Sequence, residues 1–164
     1  MDTNGSGVPE PSDRLRDLPG YGRGRAQATQ VFVHRLGSNE APDGPSAAVR
    51  SAVAAAFAEA NRYPDLRGEA LAEALARRHS VGMDHIAVSA GSIVLLDQVI
   101  RAWCDPGDEV VTPWRSYEAY PIIVGLAGAR MAGVPLDDGH RLDAAALCAA
   151  VTPRTRVVLI CNPN

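Results

Sequence analysis

From residue 86 onward, short β-like runs alternate with helix-like stretches, and this alternation limits the possible folds more than any other feature of the chain. The runs predicted as strands are Ile86–Ser89, Glu109–Thr112, Arg130–Pro135 and Arg156–Ile160. The stretches predicted as helices are Ser92–Cys104, Ser116–Ala127 and Asp143–Val151. Strands that alternate with helices of about ten residues are typical of βαβ units. The pattern therefore predicts an α/β fold, with a mostly parallel sheet and helices on its faces.

Two more helices are predicted before residue 86. The segment Pro45–Ala60 places its apolar residues on one stripe, and its proline suits a first helical turn. Pro64 ends this helical pattern, because the residue before a proline is disfavoured in the helical conformation. The segment Glu69–His79 then repeats the helical period.

The first 29 residues differ from the rest in being rich in Gly, Pro, Asp and Arg, with little hydrophobic periodicity. We interpret residues 1–29 as an arm or linker and residues 30–164 as part of one domain. The run Gly20–Gly24 suggests a dinucleotide-binding loop, but its third glycine falls one position early and no strand precedes it.

A hydrophobic content of 46% is typical of a globular protein, and the net charge of −3 does not favour nucleic acid or an anionic membrane as a partner.

The cysteines, the histidines and the N-terminus indicate the compartment. Cys104, Cys148 and Cys161 are widely spaced and are expected to be buried, reduced thiols. The four histidines lack metal-ligand spacing, so no metal site is expected. The N-terminus does not resemble a signal peptide, and the apolar stretch Pro121–Ala129 is too short to span a bilayer. We expect a cytoplasmic protein that binds neither membrane nor nucleic acid.

The junction at Gly91 is the first candidate binding site. A predicted strand leads into this glycine, and Ser92 is the expected N-cap of the next helix. Helix N-termini bind anions through free N–H groups and the helix dipole, and glycine lets a phosphate approach the backbone. The alternative is an ordinary strand-to-helix turn with a serine cap.

The aromatic run Pro113–Pro121 follows the next predicted strand and is the second candidate. Ligands of open parallel sheets bind beyond the carboxyl ends of the strands. Gly91 and Tyr117 are therefore expected to face the same crevice, where the tyrosine ring would stack on a flat heterocycle. The alternative is that the aromatic residues pack the start of a helix.

Five segments, taken together, resemble one enzyme family in their order and spacing. The chain is similar to the histidinol-phosphate aminotransferase subgroup of the class II, fold-type-I aminotransferases, which depend on pyridoxal 5'-phosphate (PLP). The run Trp114–Tyr120 is most similar to the branch that acts on aromatic amino acids. The resemblance implies a truncated α-β-α large domain without its C-terminal remainder and without the small domain. The segments are Leu36–Pro42, Asn61–Pro64, Ser89–Ser92, Trp114–Tyr117 and Cys161–Asn164, and the arm segment Leu18–Tyr21 also resembles the family's start.

The resemblance also implies roles for individual residues. The backbone of Gly91, Ser92 and Ile93 would hold the cofactor phosphate, and Tyr117 would stack on the pyridine ring. Tyr63 would reach across the interface of a homodimer to the phosphate in the partner subunit. The substrates would be a 2-oxo acid and an amino donor, either histidinol phosphate or an aromatic amino acid. Two residues, Tyr21 and Asn39, would line the pocket for these substrates.

The chain contains no lysine, since all 16 basic residues are arginine. Transamination needs a Schiff-base lysine that also transfers a proton, and arginine, which stays protonated, cannot replace it. No catalytic residue is therefore expected within this chain, and Asn164 is expected only to neighbour the cofactor-binding asparagine of the family. Two alternatives remain open: a non-catalytic binding or dimerising fragment, and another fold-type-I enzyme such as a decarboxylase or lyase.

We expect the isolated 164-residue chain to be inactive and poorly soluble. Its last predicted strand ends at Ile160, and an unpaired apolar edge strand promotes association. Size-exclusion chromatography is expected to show non-specific association. A monodisperse species with a sharp, cooperative calorimetric transition would contradict this.

Overall fold

The computed structural model describes residues 12–16, 18–20 and 40–164. These residues form two compact units, one made of residues 12–16, 18–20 and 89–164 and the other of residues 40–88. The helices are α1 (Ala47–Phe57), α2 (Glu69–His79), α3 (Ser92–Trp103), α4 (Tyr120–Leu126) and α5 (Ala144–Ala149), and the strands are β1 (Glu109–Trp114), β2 (Arg130–Pro135) and β3 (Thr155–Val158). Short 3-10 turns span Asp13–Leu15 and Met83–His85.

The three strands form one parallel sheet in the order β2-β1-β3. On one edge of β1, Glu109 pairs with Arg130 and Val110 with Met131. On the other edge, Val110 pairs with Val157, next to a register shift between the first two residues of β1. The predicted parallel sheet is therefore confirmed.

The central strand β1 is buried on both faces. Val110 joins a core cluster with residues of α3 and α4, among them Ile100 and Val124. Val111, whose side chain points to the opposite face, joins a second cluster with Leu147 of α5. The sheet therefore lies between two layers of helices, which confirms the predicted α-β-α architecture.

The predicted elements Glu69–His79 and Arg130–Pro135 have the observed bounds, but the predicted strand Ile86–Ser89 is wrong. Ile86 has an extended backbone, with φ −115° and ψ 126°. Within the described residues, however, this run pairs with no strand. A β-like run becomes a strand only when a neighbour satisfies its backbone groups.

In the unit of residues 40–88, α1 begins at an N-cap formed by Ser46, whose hydroxyl accepts a hydrogen bond from the Val49 N–H at 3.3 Å. Pro45 precedes this cap, so its predicted place in the first turn is wrong. Helix α1 has no buried residue, and Phe57 is 77% exposed. Its predicted apolar stripe is therefore present, but the described residues do not cover it.

The three cysteines differ in burial. Cys104 is buried, Cys161 is partly buried and Cys148 is exposed. All three are free thiols. The prediction of buried, reduced thiols therefore holds fully only for Cys104, because Cys148 lies on a side of the short helix α5 that does not pack against the sheet.

Charged groups join the strands at their amino ends. The Glu109 side chain is only 3% exposed, and its carboxylate accepts hydrogen bonds from the Thr152 hydroxyl at 2.7 Å and the Arg154 guanidinium at 2.9 Å. The Arg130 guanidinium lies 3.7 Å away. The Thr152 hydrogen bond, with help from Arg154 and against the effect of burial, lowers the pKa of Glu109. This carboxylate therefore links β1 to β2 and to the turn before β3.

We expect the Glu109→Gln variant to be less stable than the wild type at neutral pH. We also expect its unfolding free energy to depend less on pH. Because the pKa of Glu109 is lower in the folded state than in the unfolded state, its stabilisation is present above the unfolded pKa and is lost as the pH falls through the folded pKa. Urea unfolding between about pH 7 and about pH 3 should show that the unfolding free energy of the wild type falls more steeply with decreasing pH than that of the variant. The control is Glu73→Gln, which removes an exposed ion pair with Arg77 and should change the unfolding free energy by less than about 1 kcal/mol. Parallel pH curves for the wild type and Glu109→Gln would contradict the prediction.

Candidate functional site

Three segments meet at the carboxyl ends of the strands: the start of α3, the loop after β1 and the segment after β3. Ile93 of α3 and Cys161 after β3 both pack against the core cluster that contains Tyr120. The side-chain amide of Asn164 donates a hydrogen bond to the Arg115 carbonyl at 2.8 Å. The segments that carry the predicted cofactor-binding residues of this unit therefore lie on one edge of the sheet.

The start of α3 has the geometry of an open helix N-terminus. Gly91 is the N-cap, with φ 89° and ψ 154°, and no side chain of the described residues caps the first turn. Ser92 is therefore the first helical residue, and its predicted N-cap role is wrong. A β-carbon placed on Gly91 would meet no atom of residues 12–16, 18–20 and 40–164 within 4 Å. The first-turn N–H groups consequently lack a side-chain acceptor and lie beside open space, which suits an anion.

Ser89 stabilises the turn before this helix. Its hydroxyl donates a hydrogen bond to the Gly91 carbonyl at 2.7 Å, and the Gly91 N–H donates to the Ser89 carbonyl at 2.8 Å. Both bonds orient the peptide groups that lead into α3. The backbone at this junction is therefore held in place by local hydrogen bonds, and its positive φ requires glycine.

The two tyrosines of the aromatic run have different environments. Tyr120 is only 6% exposed and lies at the start of α4, as the packing interpretation predicts. Tyr117 is 41% exposed, and its ring meets the Tyr120 ring edge-on, with centroids 5.5 Å apart and an interplanar angle of 86°. Burial raises the pKa of Tyr120 to about 12, with contributions from Cys161 and Tyr117. Tyr117 therefore combines an accessible ring with a fixed neighbour, which is the arrangement a stacking residue needs.

The loop after β1 contains other polar and aromatic groups that the sequence did not assign to the site. The Arg115 guanidinium lies 5.5 Å from the centre of the Trp114 ring, a cation–π contact. The Ser116 hydroxyl oxygen is buried and has no hydrogen-bond partner in the described part of the chain. A buried hydroxyl of this kind favours a hydrogen-bonding ligand or neighbour. Its position directly before Tyr117 was the signal available in the sequence.

The three other predicted site residues are not among the described residues of this unit. Tyr63 belongs to the unit of residues 40–88, where its side chain is fully exposed. Tyr21 and Asn39 lie outside the described residues. The roles of these three residues stay predictions.

The described residues contain neither a metal-binding cluster nor a membrane-spanning helix. In residues 12–16, 18–20 and 40–164, no group of three or more His, Cys, Asp or Glu side chains is placed to hold a metal ion. None of the helices in the same ranges combines the length and the apolar character needed to cross a membrane.

Comparisons with known proteins agree with this geometry. The family model for "Aminotransferase class I and II" matches residues 33–164. An aromatic amino acid aminotransferase from Thermobifida fusca (strain YX) is 53% identical over 152 residues, which cover 92% of this chain and 42% of that relative. The protein of the same name from Streptomyces coelicolor is 43% identical over 151 residues, with the same coverage.

Solved structures show the same relationship. Histidinol-phosphate aminotransferase from Sinorhizobium meliloti, solved in complex with pyridoxal-5'-phosphate, has a TM-score of 0.78 and 30% identity, over 91% of this chain and 41% of that one. The aspartate aminotransferase from Rhizobium meliloti has a TM-score of 0.65 and 32% identity, over 75% of this chain and 33% of that one. The chain thus spans about 42% of the length of the curated relatives it matches, and it belongs to the class I and II aminotransferase family.

Proposed function

We propose that the whole protein to which this chain belongs is a PLP-dependent aminotransferase that moves an amino group between an aromatic amino acid and a 2-oxo acid. One observation carries the proposal: an uncapped helix N-terminus and a half-exposed tyrosine share one edge of the parallel sheet in a member of the aminotransferase family. The curated relatives named as aromatic amino acid aminotransferases favour aromatic donors. Histidinol phosphate is the second candidate donor, because one structural neighbour is named as a histidinol-phosphate aminotransferase.

The residues at this edge fit PLP in two respects. A phosphate needs several donors and close backbone approach, and the Gly91 junction offers uncapped N–H groups with open space where a side chain would be. A pyridine ring needs a flat partner, and Tyr117 offers a ring whose orientation its neighbour restricts. The buried hydroxyl of Ser116, the residue before Tyr117, adds a hydrogen-bonding group.

The chain's own residues would then bind and orient the cofactor. The backbone N–H groups of Ser92 and Ile93 would donate to the phosphate, and the dipole of the 12-residue helix α3 would favour its negative charge. Tyr117 would stack on the ring and exclude water from one face. When bound, PLP supplies the electron sink through which an amino group is exchanged. In a homodimer, Tyr63 would donate its hydroxyl to the phosphate in the partner subunit, while Tyr21 and Asn39 would contact the substrate.

The proton-transfer step is not assigned to any residue of this chain. That step requires one amine that can act both as a nucleophile, when it is unprotonated, and as a base near neutral pH. The chain has no lysine, and its arginines stay protonated. The proposed contribution of this chain is therefore recognition of the cofactor.

We expect the whole protein, supplied with PLP and 2-oxoglutarate, to convert phenylalanine to phenylpyruvate. The proposed stacking and phosphate contacts serve any amino donor, so tyrosine and histidinol phosphate should be assayed in parallel to rank the donors. Chromatographic detection of the 2-oxo acid product is the measurement, and the isolated 164-residue chain serves as the inactive control. Release of an amine and CO₂ without a 2-oxo acid would instead identify a decarboxylase.

We expect Gly91→Ala to lower both the stability of the protein and its affinity for PLP. The φ of 89° disfavours any residue with a β-carbon, at a cost of about 1–3 kcal/mol in unfolding free energy. The added methyl group would also obstruct the phosphate, which we expect to weaken PLP binding about tenfold. Gly44→Ala is the matched control, since that glycine also has open space around it but no positive φ. Unchanged PLP affinity in Gly91→Ala would contradict the assignment of this junction to the phosphate.

A further inference from the structure

Tyr120 belongs to the buried cluster at which the three segments at the carboxyl edge of the sheet meet. It is the first residue of α4 and belongs to the buried cluster that also contains Val110 of β1 and Leu159 after β3. Ile93 and Cys161 are partly buried and pack against the same cluster. A change in the Tyr120 side chain is therefore expected to alter the packing of all three segments.

The ring of Tyr120 restricts the ring of Tyr117. The two rings are nearly perpendicular, at 86°, with centroids 5.5 Å apart, which is a preferred geometry for an aromatic pair. The Tyr120 N–H also donates to the Tyr117 carbonyl at 3.0 Å, so the backbone turn does not depend on the side chain at position 120. A substitution of Tyr120 therefore tests the ring contact without removing the turn.

The segment after β3 packs against the cluster that contains Tyr120, through Cys161. The Cys161 thiol donates a hydrogen bond to the Pro163 carbonyl at 3.4 Å, within the same segment. Burial, together with Cys161, raises the pKa of Tyr120 to about 12, so the hydroxyl stays protonated at neutral pH. The same side chain thus orients Tyr117 with its ring and lies in the cluster against which Cys161 packs.

We propose that Tyr120 is a positioning residue of the cofactor site, whose ring sets the plane of Tyr117 and whose hydroxyl holds Cys161 and the segment that follows it. This inference rests on the proposed function, because it assigns Tyr117 to a bound PLP ring. Tyr120 itself is only 6% exposed and belongs to the cluster against which Cys161 packs. It therefore acts on the cofactor through Tyr117 and through the segment after β3.

Two substitutions in the whole protein separate the two contacts. Tyr120→Phe keeps the ring and deletes the hydroxyl, whereas Tyr120→Leu removes both. Trp103→Leu is the matched control, because Trp103 is an exposed aromatic residue at the other end of α3. Thermal melting of each variant first establishes that it is folded.

The first measurement does not involve the cofactor. The apoprotein is treated with iodoacetamide, and the alkylation rates of Cys161 and Cys148 are followed by mass spectrometry of their peptides. We expect Tyr120→Phe and Tyr120→Leu to raise the rate at Cys161 about two- to tenfold, the ratio that corresponds to the loss of one ordinary hydrogen bond. The exposed Cys148 is the internal control, and its rate should not change. An unchanged rate at Cys161 in both variants would overturn the proposed role of the hydroxyl.

The second measurement concerns the ring. The apoprotein is titrated with PLP, and the dissociation constant and the induced circular dichroism of bound PLP are recorded. We expect Tyr120→Leu to weaken binding about two- to tenfold and to alter the dichroism, while Tyr120→Phe and Trp103→Leu stay close to the wild type. A wild-type dichroism and affinity in Tyr120→Leu would overturn the positioning role of the ring.

Tyr117→Leu distinguishes failure of this inference from failure of the proposed function. If Tyr117→Leu weakens PLP binding and Tyr120→Leu does not, the cofactor site stands and the role of Tyr120 is rejected. If Tyr117→Leu leaves PLP binding unchanged, the stacking assignment fails and the proposal for the Tyr120 ring is rejected with it. The alkylation result then decides the role of the hydroxyl alone.

Discussion

Burial of β1 on both faces is the constraint from which the arrangement of the described sheet follows. Val110 and Val111 are both fully buried, although their side chains point in opposite directions. Apolar cover is therefore needed on both sides, and α3 and α4 provide it on one face while α5 provides it on the other. Parallel strands need crossover connections; α4 connects β1 to β2, and α5 connects β2 to β3. Since α3 runs back along the sheet before β1 begins, its N-terminus comes to the edge where the strands end.

The two ends of the sheet have different chemistry. At the amino ends, Glu109 is hydrogen-bonded to Thr152 and Arg154, and Asp108 lies 3.4 Å from the Arg156 guanidinium. At the carboxyl ends there is instead an uncapped helix N-terminus, a half-exposed tyrosine and the buried Ser116 hydroxyl. Polar groups that are paired with one another stabilise the sheet, whereas the uncapped N–H groups of α3 and the Ser116 hydroxyl are available to bind a ligand. This difference explains why the proposed cofactor contacts lie at only one end of the sheet.

Tyr117 and Tyr120 illustrate how one short motif can serve packing and binding together. The sequence pattern allows two interpretations, one with aromatic residues packing a helix start and one with an aromatic residue stacking on a ligand. In the structure, Tyr120 packs the helix start and Tyr117 remains accessible. The spacing of three residues brings both rings to the same side of the turn, so the buried ring orients the accessible one. The alternatives are therefore complementary.

Periodicity and local chemistry were enough to predict the architecture and most element positions. Alternating apolar runs predicted the parallel sheet, and Glu69–His79 was predicted with its observed bounds because its apolar period and flanking residues are local signals. Long-range pairing decided the rest. Ile86–Ser89 has the composition of a strand but pairs with none in the described residues, and the apolar stripe of α1 is not covered by them. The packing of Cys161 against the cluster that contains Tyr120, 41 positions earlier, likewise depends on strands that meet only in the folded sheet. A pattern along the chain shows which residues prefer burial or a turn, whereas the choice of neighbour depends on how distant segments pack.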